Sequence, residues 1–198
     1  MTRIGVFGGS FNPVHWGHLH VALLAREAAD LDLVLYLPAS VPPHKGPEDL
    51  APVEHRWGML ERALNTEPHT QLCNLELTPG GPRYTVDTLD QLKREHEDWD
   101  LHFILGMDSL AELSTWKEPE RLVTTYRVIS VNRPGGALEV PGIWNNRILP
   151  VSGNPFAISS SVIRERVASG RSIRHLVPAP VAAYIAEHHL YRTRSEAR

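Results

Sequence analysis

The sequence has a single cysteine, Cys73, in 198 residues, which excludes an intramolecular disulfide and any metal site built on paired cysteines. That usage fits a reducing compartment. Long apolar runs are lacking too: the longest, "LVLYL", falls far short of the roughly 20 residues a membrane helix needs. The opening "MTRIGVFGG" has no signal-type apolar core before its glycines. The expectation is a cytoplasmic protein with no membrane partner. Nor is there an excess of positive charge. A formal net charge of -3 gives no general attraction to nucleic acid, so any bound anion must be met by locally placed donors. With 42% hydrophobic and 22% charged residues, the composition is that of an ordinary globular protein, and the length suits one domain spanning residues 1–198.

What is present is an alternation. Short aliphatic runs ("RIGVF", "LVLYLP", "QLCNLEL", "LHFILG", "YRVISVN", "NRILPV") read as strands, and amphipathic stretches between them read as helices. The helices include one from about His15 to Ala29, "EHRWGMLERAL", "YTVDTLDQLKREH" and a short one at "DSLAEL". Residues 159–190, with "SSSVIRERVAS" and "PAPVAAYIAEHH", form a closing helical segment. This order predicts an α/β fold of the Rossmann-like, doubly wound kind, with a mainly parallel sheet and helices on both faces.

The first crossover concentrates unusual residues. In "GVFGGSFNPVHWGHLHVA", Gly8 and Gly9 let the backbone approach a ligand closely where an apolar strand ends, and the next helix presents unpaired N–H groups there. An anion is the natural guest. The glycine spacing matches neither a dinucleotide fingerprint nor a Walker loop, and the second strand's "LYLPAS" lacks the acid that would bind a dinucleotide ribose. A redox Rossmann enzyme is therefore a poor alternative. His15 and His18, three positions apart, share a helix face at the anion end, whereas His20 falls well round the helix. Imidazoles at that spacing suit phosphate oxygens as hydrogen-bond donors. A zinc pair is the rival reading, without a convincing third ligand, and plain capping and packing is a second.

"GSFNPVHWGHL" resembles the signature of the HxGH nucleotidyltransferase superfamily. With "PASVPPHK", "RYTVDTL", "FILGMDSL", Trp116 and "ISSSVIRERV", in that order and over nearly the whole chain, the sequence resembles the bacterial nicotinate-mononucleotide adenylyltransferases. The resemblance implies adenylyl transfer from ATP to nicotinate mononucleotide, giving deamido-NAD and pyrophosphate, with Mg²⁺ accompanying ATP. It implies catalytic roles for His15, His18, Lys45 and Arg164. It places ATP against Gly8, Gly9, Ser10, Phe11, His18, Gly106, Asp108, Arg133, Ser160, Ser161 and Arg164. The nicotinate nucleotide would meet Lys45, Arg83, Tyr84, Thr85 and Trp116. No metal ligand from the protein is implied, and variable assembly in the family leaves a homo-oligomer open.

Three positions depart from the family pattern: Asn12 stands for the usual aspartate, Arg83 for a frequent serine, and Ser161 for the usual threonine. Bland readings stand beside these assignments. Ser159 to Ser161 are a good helix start in their own right, Asp108 could cap "SLAEL", Thr85 and Asp87 could be polar residues of a helix start, and Trp116 could be a core anchor. His44 reads as surface, Trp16 as packing, and Arg166 as facing away. Rival functions are a sister enzyme acting on nicotinamide mononucleotide or phosphopantetheine, and a noncatalytic nucleotide sensor.

Overall fold

The structure is a computed structural model that describes residues 1–40, 50–132, 144, 146–153 and 156–192, and not the side chains of Met107 and Asp108. Strands β1 (Thr2–Gly9), β2 (Leu33–Pro38), β3 (Thr70–Leu72), β4 (Trp99–Gly106), β5 (Arg127–Asn132) and β6 (Ile148–Ser152) form one sheet in the order β3-β2-β1-β4-β5-β6. Every pairing is parallel. Helices α1 (Trp16–Ala28), α2 (Val53–Leu64), α3 (Thr85–Glu95), α4 (Met107–Glu112), α5 (Pro119–Thr125), α6 (Ser160–Ala168) and α7 (Ala179–Glu187) cover it.

Period-two alternation sorts the strand side chains between two cores. Val34, Tyr36, Ile104, Ile129 and Val131 join Met59, Leu60, Ile163 and Val181 on one face. Ile4, Val6, Leu35, Leu37, Leu101, Phe103 and Leu105 join Val86, Leu89, Leu113 and Leu122 on the other. Burial on both faces accounts for the near-continuous apolar strands in the sequence. The strand order reverses between β1 and β4, where Phe7 lies opposite Ile104, so the chain leaves the sheet at Gly9 and Gly106 side by side. That switch point is where an open parallel sheet accepts ligands. Among the described residues, no helix is long and apolar enough to cross a membrane.

Two local expectations are corrected. "QLCNLEL" extends only over Thr70–Leu72, and Leu75–Leu77 coil into a 3₁₀ turn, because this edge pairs with β2 through three residues alone. Helix α5 has no counterpart in the expected layout: it follows Glu118, whose backbone is left-handed at φ 50°, and begins at Pro119, an apt first residue because its missing N–H would lack a partner anyway.

Candidate active site

At the end of β1 the chain turns through Phe11, a non-glycine residue with φ 45° in the left-handed region. Such backbone persists where surrounding contacts hold it. Here the Phe11 ring is buried, set edge-on to Phe7 at 5.6 Å and to His18 at 5.1 Å between centroids. His15 then serves as the N-cap of α1 with extended backbone, and its carbonyl accepts from the His18 N–H at 2.9 Å. In return the backbone N–H of His15 donates to Nδ1 of His18 at 3.2 Å. A nitrogen that accepts carries no proton, so the His18 proton lies on Nε2, on the far side of the ring from this bond.

The two imidazoles stack, with centroids 3.7 Å apart and planes 27° from parallel. Stacked rings direct their lone pairs within separate planes, a poor arrangement for sharing one zinc ion. Among the described residues no group of three histidine, cysteine or acidic side chains could hold a metal ion. His15 is buried, and desolvation lowers its pKa from the ordinary 6.5 to about 4 against the opposing pull of its own backbone hydrogen bond. It is therefore neutral near pH 7, with a proton on one nitrogen only. Its Nδ1 is buried without a hydrogen-bond partner among the described residues. Gly17 is explained by the same ring, since a Cβ there would lie 3.0 Å from His15 Cε1 and Nδ1.

The closing helical segment reaches this corner. Ser159 caps α6 through a bond from Val162 N–H, Ser160 Oγ donates to the Pro13 carbonyl at 2.9 Å, and Arg164 Nη1 donates to the Asn12 carbonyl at 2.8 Å. Ser160 and Arg164 thus hold the loop that follows β1, and Arg164 retains further N–H groups in its fork. Ser161 is exposed at the same helix start. Arg166 turns away to the Ser172 carbonyl, and His20 to the Gly153 carbonyl. Trp16, read as packing, is 38% exposed.

Gly106 closes β4 and is the N-cap of α4; a Cβ there would meet nothing within 4 Å, so packing does not require the glycine. Asp108 is the second residue of α4 rather than its cap, and its side chain lies outside the described residues, as do Lys45, His44 and Arg133. A second cluster adjoins the glycines. The Phe103 ring lies 3.9 Å from where a Gly8 Cβ would stand, and Trp116, half-buried, sets its ring 5.9 Å from that of Phe103. Next to Trp116, Lys117 lies 4.9 Å over the Tyr84 ring and pairs with Asp87 at 2.9 Å. Tyr84 stands at the N-cap position of α3 without a capping side-chain bond, Thr85 begins the helix, and Arg83 is exposed just before. Lys117 thus ties the segment after Trp116 to Tyr84 and Asp87 at the start of α3.

Sequence reading passes over four residues here. Arg56 is 1% exposed, and its guanidinium donates to the carbonyls of Ser10, Ala39, Ser40 and Ala51. Burial lowers its pKa, with Tyr191 and Glu54 acting in the opposite direction. The available signal is its place on the apolar stripe of α2 with Met59, Leu60 and Ala63. Asn12, noted in the sequence only as a departure, is buried, and its Oδ1 accepts from Ala51 N–H at 3.1 Å and from Tyr191 Oη at 2.8 Å. Tyr191 and Lys117 carry no local signal.

Comparisons with known proteins place this fold among known ones. The cytidylyltransferase-like family profile matches residues 6–166. A Thermomicrobium roseum protein named "Probable nicotinate-nucleotide adenylyltransferase" is 43% identical, over 98% of this chain and 93% of its own. A Thermus thermophilus protein of the same name is 44% identical, over 96% of this chain and 100% of its own. The solved structure of Plasmodium falciparum nicotinic acid mononucleotide adenylyltransferase complexed with NaAD superposes with a TM-score of 0.79 at 21% identity, covering 96% of this chain and 98% of that one.

Proposed function

The chain belongs to the cytidylyltransferase-like family, and from that premise we infer that it transfers the adenylyl group of ATP to nicotinate mononucleotide, releasing pyrophosphate and forming deamido-NAD for NAD biosynthesis. The observation that carries the reading is the locked pair of imidazoles at the β1–β4 switch point, with the His18 proton fixed on Nε2.

A phosphate monoester with a second pKa near about 6 is already largely dianionic at neutral pH, so the nucleophile needs no strong base. An oxygen of the nicotinate mononucleotide phosphate attacks the α-phosphorus of ATP, and the bond from that phosphorus to the bridging oxygen breaks as pyrophosphate departs. The protein's work is in-line placement and charge stabilisation. His18 Nε2–H donates to the α-phosphate region. His15, neutral at working pH, donates toward the oxygens that gather charge on the leaving group. Arg164, Ser160 and Ser161 line the side closed by α6, and Lys45 follows the phosphates as a point charge. ATP enters with its Mg²⁺ as substrate, an ion that keeps phosphate oxygens and waters as ligands and needs no protein cage.

Acceptor choice falls to the cluster beside Gly8. Trp116 offers a face for the pyridine ring, while Thr85 and the open amides of the α3 N-terminus, with Lys117 nearby, suit a carboxylate better than a carboxamide. The lone Cys73 supports a cytoplasmic setting. The test is pyrophosphate release from ATP and Mg²⁺ with a panel of phosphate acceptors. Turnover with nicotinate mononucleotide well above that with the amide supports the reading. Equal use of both overturns the carboxylate assignment, and ATP binding without product overturns the enzyme.

A further inference from the structure

We propose that Arg56 is a positioning residue for ATP: its buried guanidinium holds the Ser10 carbonyl inward, which aims the Phe11 N–H at the nucleotide phosphates, and fixes the end of β2 to the same loop. The inference rests on the adenylyl-transfer reading above and extends it to a residue remote in sequence from every motif.

The geometry is specific. One nitrogen, Nη1, bridges the Ser10 carbonyl at 3.0 Å and the Ala39 carbonyl at 2.7 Å, while Nη2 takes Ser40 at 2.9 Å and Nε takes Ala51 at 3.0 Å. Ser10 follows β1, Ala39 and Ser40 follow β2, and Ala51 precedes α2. A single planar cation thus joins the two strand ends that flank the phosphate corner to the chain returning into α2. A lysine could not do this, since its one ammonium carries three donors on a flexible stem and no fixed fork.

The Ser10 carbonyl and the Phe11 N–H belong to one trans peptide, so fixing the oxygen toward Arg56 turns the N–H away from it. No backbone hydrogen bond among the described residues takes up that N–H. Phe11 holds φ 45°, a conformation with an intrinsic cost for a residue bearing a Cβ, and the Arg56 bond to the adjoining carbonyl opposes its relaxation. Among the described residues the four hydrogen-bond acceptors of Arg56 are all neutral carbonyls, with no bonded carboxylate. Four acceptors make a buried guanidinium tolerable, and three of them, on Ser10, Ala39 and Ser40, sit just past the strand ends that flank the corner.

The test compares wild type with Arg56→Lys and Arg56→Met, using the full chain, thermal melting and steady-state kinetics for each substrate. The expected result is folded variants whose KM for ATP rises at least tenfold while KM for nicotinate mononucleotide stays within twofold. Arg56→Lys should fail to rescue although it keeps the charge. A folded variant with unchanged KM for ATP, or with both KM values raised alike, overturns the proposal. On wild type, amide hydrogen exchange at Phe11 should slow at least tenfold on adding a nonhydrolysable ATP analogue with Mg²⁺. Unchanged exchange at Phe11, with protection elsewhere in the loop, overturns the proposal even if neither variant folds. Absence of product from wild type would instead strike the adenylyl-transfer reading.

Discussion

His15 and His18 lie face to face with ring centroids 3.7 Å apart, and the backbone N–H of the first occupies Nδ1 of the second at 3.2 Å. One turn of helix thus sets both the spacing of the rings and the tautomer of the outer one. Replacing His18 by alanine removes a donor whose direction is fixed in advance. Turnover should fall by at least about a hundredfold, the scale of losing one preorganised oxyanion donor. Measuring kcat with a folded His18→Ala protein checks this, and near-normal turnover would remove His18 from the chemistry.

Gly17 separates the two histidines and leaves room for the His15 ring. In Gly17→Ala the new Cβ would stand 3.0 Å from that ring, so the imidazole must shift by a few tenths of an ångström. Alanine also raises helix propensity by up to about 1 kcal/mol, which offsets crowding in the stability of the fold. The expected outcome is a melting temperature within a few degrees of wild type, with kcat lowered about tenfold or more. A variant with wild-type kcat would show that the ring's exact position does not matter.

The pKa of His15 in the folded protein is about 4, below the ordinary 6.5 of the unfolded chain. As pH falls below 6.5 the unfolded chain takes up this proton first, so the stability contribution is full above that value and declines toward pH 4. Between pH 7 and 5 the loss should reach roughly 2 kcal/mol from this group. His102, whose pKa is also lowered by burial, adds in the same direction in every variant that keeps it. Urea unfolding of wild type and His15→Gln at both pH values isolates the His15 part. Parallel pH slopes would mean that His15 is not held neutral.

The proposed function puts Trp116 and Tyr84 on the acceptor side; Trp116 lies beside Gly8 through Phe103, and Tyr84 at the start of α3. Trp116→Ala should raise KM for nicotinate mononucleotide at least about tenfold, since stacking and the burial of an indole face are lost together. KM for ATP should change little. The reverse split would move Trp116 to the ATP side.

The sheet was legible because its strands are buried on both faces and read as apolar runs, and α1 because the glycines end β1 where His15 can cap the next helix. Residues whose partners are distant backbone atoms were not. Arg56 bonds to carbonyls of Ser10, Ala39 and Ser40, and Asn12 accepts from Tyr191, 179 positions away. No local pattern encodes those meetings. Ser160 and Arg164 read from the sequence as candidate ATP residues, and what the fold shows of them is a task no local pattern encodes: bonds to the Pro13 and Asn12 carbonyls that hold the loop they border.

The central claim is that the triphosphate of ATP settles on the imidazoles and open amides of the first crossover. A crystal structure with a nonhydrolysable ATP analogue and Mg²⁺ tests it most directly. The account predicts a phosphate oxygen within about 3 Å of His18 Nε2, with the chain folded over Gly8 and Gly9 as it is here. A triphosphate bound elsewhere on the sheet, or a metal ion held between His15 and His18, would contradict it.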